Sequence, residues 1–262
     1  MVNTMMSYRL IASDMTRSLQ RVSKEPLVER ETAYYKENIG KVKSIDDFMS
    51  DTRLYNYAMK AFGLEDMAYA KAFARKILTE GVKDDDAMAN KLTDKRYKAF
   101  ATTFDFAGKG EKATESTAAQ QGVMDKYIRQ TLETEAGSQN EGVRLALYFE
   151  RKASTITNAY EILGDKALLT VMQTTFGWPS VMSNADIDKQ AKMIEAKVDF
   201  SKMSDPDYVS KMISRFTAMY EMNNPTTSSP ASIASLLLGG TSSVGISSSI
   251  LTTLQNFKPG GR

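Results

Sequence analysis

Three short stretches hold the residues whose types and spacing could do chemistry. Lys83 to Ala87 reads KDDDA, and adjacent carboxylates are the oxygen ligands that hard divalent cations prefer. The run lacks the alternate spacing and central glycine of a calcium loop. Its simpler reading is a solvated helix N-terminus, where negative charge complements the helix dipole. The acid-rich VERETAYYKE sets Glu29 and Glu31 beside Tyr34 and Tyr35, with no nucleophile arranged against a base. Tyrosines of this kind are enriched at protein interfaces, so Tyr34 and Tyr35 are candidate contact residues. RLALYFERKA, Arg144 to Ala153, interleaves cations with aromatics. RNA-binding platforms present that mixture on strands. Here it falls within a helical pattern, and no nucleic-acid role is expected.

The absences narrow the field further. The chain has no Cys and no His, which removes thiol nucleophiles, Ser-His and Cys-His pairs, zinc sites of thiolate or imidazole, and the usual proton shuttle near neutral pH. The phosphate-loop, dinucleotide and hydrolase-elbow fingerprints are missing as well. An enzyme built from what remains would need carboxylates with displaced pKa values converging in a concave site. No catalytic, cofactor-binding or metal residue is therefore assigned. With 262 residues, 42% of them hydrophobic, and a formal charge of +2, the chain can bury a core and carries no polyelectrolyte signature. Mean hydropathy is -0.36. No apolar run approaches a membrane span, and no cleaved secretory signal is expected.

The elements that must position any site read as helix after helix. Five of the six prolines lie at 179 or beyond or in the tail, and only Pro26 precedes the long proline-free middle. Pro26 suits a first helical turn, with Gly40 as its C-cap. Ser44 and Asp47 have the spacing of a capping box. Met67, Ala70, Ala74, Ile77 and Leu78 share one face of a helix ending at Gly81, and Asp94 caps a following one. The segment AGKGEKATESTAAQQG begins as a loop. Ser138 and Glu141 form the S-x-x-E spacing of a second capping box, which predicts one long helix from Ser138 to Gly164. Sixteen methionines suit adaptable core packing. Strand signals are scarce. The expected fold is all-α: a multi-helix globular bundle over 1-223, divisible into sub-bundles near 1-110 and 111-223.

One pattern recurs. SDTRLYNYAMKAFGL begins at Ser50 and GDKALLTVMQTTFGW at Gly164. Asp51 and Asp165 start the two copies, apolar residues follow at helical spacing, and Gly63 and Gly177 close them. Asp94 and Asp205 begin weaker relatives. The intervals between these aspartates are unequal, unlike the fixed period of a solenoid. The simpler reading is that cap, apolar stripe and C-cap recur because each is stabilising; duplication of a helical unit is the alternative. Either way the aspartates are caps.

Residues 224-262 change character: rich in Ser, Thr and Gly, with two apolar patches. They are expected to form a flexible or partner-ordered tail, an arm folded back on its own domain being the alternative, with Leu236, Leu237, Leu238, Ile250 and Leu251 as contact candidates.

Three blocks carry a wider likeness: the run from Arg30 to Val82, then ANKLTDKRYKAFATTFDF, then NEGVRLALYFERKA. Together they resemble a family of alphaproteobacterial proteins bearing a domain-of-unknown-function label, whose genes lie among flagellar motor and basal-body genes. The resemblance runs from about Tyr8 to Tyr220 and brings no catalytic or ligand residues. It implies a flagellum-associated structural or assembly protein, bound to other flagellar proteins and located at the flagellum, the basal body or in the cytoplasm. A cytoplasmic regulator or export chaperone is the alternative it leaves open.

Overall fold

A computed structural model of the chain describes residues 3–224. Every regular element among them is helical. In chain order the α-helices are α1 (Thr4–Ala12), α2 (Met15–Ser23), α3 (Pro26–Asn38), α4 (Ile45–Ser50), α5 (Thr52–Ala61), α6 (Lys71–Glu80), α7 (Met88–Lys91), α8 (Lys95–Thr103) and α9 (Phe106–Lys109). After a turn region follow α10 (Gln121–Gln139), α11 (Glu141–Ala153), α12 (Ala159–Leu163), α13 (Lys166–Phe176), α14 (Ile187–Glu195) and α15 (Pro206–Asn223). Short 3-10 turns fill several of the joints.

Local chemistry explains where these helices begin. Pro26 sits at the first turn of α3, where its missing amide donor would be unpaired in any case. Ser44 caps α4 and Asp47 reaches back to the Ser44 backbone, a complete capping box. Asp51, Asp94, Asp165 and Asp205 each accept first-turn amides of α5, α8, α13 and α15. Gly40 does not end α3 with a left-handed turn; it lies inside a 3-10 extension, Ile39–Lys41.

The long helix expected from Ser138 to Gly164 is instead three segments. Ser138 belongs to the last turn of α10, where its hydroxyl donates back to the Glu135 carbonyl at 2.7 Å. Asn140 takes the cap: its backbone is extended, and its side-chain oxygen accepts from the amides of Gly142 (2.9 Å) and Val143 (3.3 Å). Glu141 becomes the first residue of α11 and pairs with Arg144. A second break comes at Asn158, which caps α12. An asparagine amide competes for first-turn amides as well as a serine hydroxyl does, so the helix restarts two residues beyond the S-x-x-E signal. The segment expected to begin as a loop contains α9 and a 3-10 turn.

The buried apolar side chains gather in two clusters. One runs from Val22 to Leu132 and is rich in aromatics; the other runs from Leu145 to Phe216 and is mostly aliphatic. Helix α10 lies between them, packing on α2 and α5 and also on α11. Its Glu133, 1% exposed, accepts from Arg129 of its own helix (2.9 Å) and is gripped by both ends of the Arg151 guanidinium of α11 (2.8 Å each). Arg129 also donates to the Leu147 carbonyl at 3.0 Å. A fork–carboxylate pair of this kind fixes geometry as well as neutralising charge.

The recurring pattern proves to be tertiary as well as local. In the first copy Asp51 Oδ1 accepts from the amides of Arg53 and Leu54, both at 3.0 Å, and Oδ2 accepts from the Tyr34 hydroxyl at 2.9 Å. In the second, Asp165 Oδ1 accepts from Ala167 (3.0 Å) and Leu168 (3.1 Å), and Oδ2 accepts from Tyr148 at 2.5 Å. Each tyrosine stands seventeen residues before its aspartate. The interval from Asp51 to Asp165 also relates Ser44 to Asn158, both N-caps, and Asp47 to Glu161, whose carboxylates accept from the amides of Lys43 and Thr157. Both copies end in the same six-to-one and five-to-two closure: Leu64 N–H to Met59 C=O and Gly63 N–H to Lys60 C=O, then Trp178 to Gln173 and Gly177 to Thr174. Gly63 and Gly177 have φ near 69° and 67°, which only glycine adopts without strain. The α3–α5 and α11–α13 segments thus repeat one arrangement of caps, tyrosine clasp and helix closure, which favours the duplicated-unit alternative over the recurrence of caps alone.

Candidate functional site

Helix α8 faces the α11–α13 corner of the second unit across a cleft of about 620 Å³. The contact beside it is close. A Cβ added at Gly164, between α12 and α13, would lie 2.8 Å from the Thr93 methyl and 3.2 Å from its carbonyl, so glycine is what lets the second unit approach the start of α8 here. The floor is apolar, with Phe62, Ile156 and Leu168 all largely buried.

Every carboxylate lining the cleft already has a structural task. Asp94 caps α8 and receives Arg96 through Nε to both oxygens (3.0 Å each) and Nη2 (2.7 Å). Burial would raise the Asp94 carboxyl, but these bonds outweigh it and hold it below the ordinary aspartate range. Arg96 spends its remaining arm on the Gly63 carbonyl, so the C-cap of α5 is sealed by α8. Glu161 accepts from the Thr157 amide at 2.7 Å. Asp165 serves α13 and Tyr148; burial and then the Asp165 charge push the Tyr148 hydroxyl well above the usual tyrosine range, so it stays a donor.

The cations are differently placed. Lys95 and Lys98 project from α8, Lys126 from α10 and Lys152 from the end of α11. Lys95 reaches the Leu92 carbonyl at 3.1 Å; Lys126 reaches the Gly122 carbonyl at 3.4 Å and lies 5.7 Å over the Phe62 ring. The ammonium groups of Lys98 and Lys152 have no hydrogen-bond or ion-pair partner among the described residues. Burial, then the neighbouring Arg151, push Lys152 below the ordinary lysine value, against the opposing pull of Asp165 and Asp94. Four lysines without carboxylate partners therefore ring an apolar floor. The arrangement suits binding of negative charge, and it offers no pair of free carboxylates for acid–base work.

The contact candidates fare unevenly. Tyr35 is fully buried; its hydroxyl donates to the Ala119 carbonyl at 2.6 Å and its ring stacks on Tyr57 at 4.5 Å. It is a core residue and no partner can reach it. The sequence put it beside Tyr34, and adjacent residues of a helix point in different directions. Tyr34 is half-buried, held by Asp51 and with the Arg53 guanidinium 3.9 Å above its ring. Leu236, Leu237, Leu238, Ile250 and Leu251 lie outside the described residues. In KDDDA, Asp84 accepts the Asp86 amide at 2.8 Å, and Asp86 pairs with Lys91 at 2.8 Å.

Sequence reading missed Lys98, Lys126, Lys152 and Glu133. The lysines converge from three helices far apart in the chain and carry no local signal. For Glu133 the signal was present, an Arg four residues earlier on a helix, but burial of a charge cannot be read from spacing.

The architecture defines a class: an all-α protein carrying a repeated helical pattern, with a lysine-rimmed cleft between α8 and the second copy. The chain belongs to the family described as Protein of unknown function (DUF1217), which matches residues 61–209. It is also similar to a protein from Agrobacterium tumefaciens whose X-ray crystal structure came from a structural genomics consortium, at 59% identity and a TM-score of 0.80, over 85% of this chain and 94% of that one. No curated protein matches it. Among the described residues no helix is long and apolar enough to cross a membrane.

Proposed function

We propose that this chain is a non-enzymatic, flagellum-associated structural or assembly protein that acts by contact with other flagellar proteins. The flagellar context comes from the family resemblance of the three sequence blocks. The observation that supports contact over catalysis is the cleft, whose carboxylates are all committed to caps and clasps while its lysines are not. Acid–base catalysis needs carboxylates free to exchange protons with a substrate, whereas unmatched charge around an apolar floor is how a complementary surface is recognised.

The test is genetic and biochemical together. A strain lacking the gene should lose swimming in soft agar and regain it with the full chain. The tagged full chain should then retain identified flagellar proteins in a pull-down from motile cells. A deletion strain that swims normally, or a pull-down without flagellar proteins, overturns the reading.

A further inference from the structure

We propose that the cleft between α8 and the α11–α13 corner is the docking site for an acidic, partly apolar segment of a partner protein; this rests on the contact function just proposed.

The charge of the site is the first argument. Lys95, Lys98, Lys126 and Lys152 come from three helices and, with Arg96, outnumber the lining carboxylates Asp94, Glu161 and Asp165, so the rim is net positive even though Asp94 is paired with Arg96. Lys98 and Lys152 are unpaired among the described residues; Lys98 is exposed and Lys152 partly buried, and a partly buried cation such as Lys152 gains most from an incoming anion.

The kind of cation is the second argument. Planar, bidentate phosphate recognition favours guanidinium forks, and the one arginine lining the cleft, Arg96, is already committed to Asp94 and the Gly63 carbonyl. Lysines are point charges on flexible stems. Spread around the rim, they match carboxylates spaced along a chain better than one compact anion. Nucleic acid would call for exposed aromatic faces on which bases stack. The one aromatic ring in the lining, Phe62, is 8% exposed and lies beneath Lys126. The apolar floor of Phe62, Ile156 and Leu168 instead offers a seat to aliphatic or aromatic side chains between the acids.

The chain's own C-terminal segment does not fit this description. Residues 225–262 contain Lys258 and Arg262 but no Asp or Glu, so the complementary charge has to come from another molecule.

Fluorescence anisotropy of the full-length protein tests the idea, with a fluorescein-labelled peptide of Glu and Asp interspersed with Leu and Phe as the probe. Binding should weaken as salt rises. It should fall by about tenfold or more in Lys98→Glu/Lys152→Glu, and by a smaller factor in the milder Lys98→Gln/Lys152→Gln. Lys109→Glu/Lys211→Glu, outside the cleft, should leave it unchanged, and circular dichroism should show all variants folded. Equal binding by the cleft and control variants overturns the proposal. So does tighter lysine-dependent binding of tripolyphosphate or a single-stranded oligonucleotide than of the peptide. If the cleft variant captures the same flagellar proteins and restores swimming as well as the unaltered chain, the docking site is wrong while the contact function stands. Loss of both by the cleft variant alone supports docking at this site.

Discussion

The two copies of the helical unit keep the same backbone chemistry and fill it differently. In the first, Tyr57 stacks between Tyr35 at 4.5 Å and Tyr127 at 3.8 Å, and Phe48 sits among Phe100, Phe104 and Phe106. In the second, the positions corresponding to Tyr57 and Phe48 are Val171 and Ile162, both fully buried. Rings give way to branched aliphatics, yet the caps, the tyrosine clasp and the left-handed glycine are retained. What sets the path of the chain here is the satisfaction of helix ends, since an unpaired buried amide is destabilising wherever it occurs. The core tolerates substitution so long as volume is filled.

The largest expected effect falls on the buried carboxylate that ties α10 to the second copy. Glu133→Gln leaves Arg129 and Arg151 facing one another without their common carboxylate, and should destabilise the protein by about 3–5 kcal/mol. Urea unfolding measures it. Trp178, the chain's single tryptophan, reports the second copy, and far-UV circular dichroism reports all helices. Coincident transitions would make the copies one cooperative body joined by α10; a tryptophan transition that separates from the dichroism would divide them.

High pH should separate the copies by their rings. Burial raises the hydroxyls of Tyr55 and Tyr127 to about 12, while an unfolded tyrosine ionises near 10. Below that pH both states are neutral and the stabilisation is intact. From about pH 10 to 12 the unfolded state releases the proton first, so stability falls by up to about 1.4 kcal/mol per pH unit for each tyrosine. Thermal melts from pH 9 to 11 should therefore show a steep loss. Tyr55→Phe should flatten it, and changing Tyr127 of α10, whose ring stacks on Tyr57 of the first copy, together with Tyr55 should flatten it more than Tyr148→Phe in the ring-poor copy.

The smallest effects test the clasp itself. Asp51→Ala and Asp165→Ala should each lose about 0.5–2 kcal/mol, with Asp165 the more costly because its tyrosine is 8% exposed and Tyr34 is only half-buried. Pairing Asp165→Ala with Tyr148→Phe should give less than the sum of the single changes. Simple additivity in that cycle would mean the clasp is geometry without coupling.

Much of this was legible beforehand. Asp51, Asp94, Asp165 and Asp205 announce helix starts because an aspartate before an apolar stripe has few other uses, and Gly63 and Gly177 announce ends because their backbone is closed to other residues. Ser138 misled because two cap-competent residues, Ser138 and Asn140, stood two positions apart, and spacing alone does not choose between them. The cleft was illegible for a different reason. Lys98 and Lys152 are surface-type residues in ordinary helical positions, and only the packing of α8 against the α11–α13 corner brings them to the same rim.

The seventeen-residue reach of each clasp has a kinetic meaning. Closing so short a loop asks only about 2–3 kcal/mol of chain entropy, and contacts this local form ahead of those that join distant segments. The two clasps, Tyr34 with Asp51 and Tyr148 with Asp165, are therefore the tertiary contacts of each copy that need the least chain closure. The Arg151–Glu133 pair spans eighteen residues and is as local as the clasps, and Arg151 lies on the same helix as Tyr148, so helix α11 ties the second clasp to the buried carboxylate of α10.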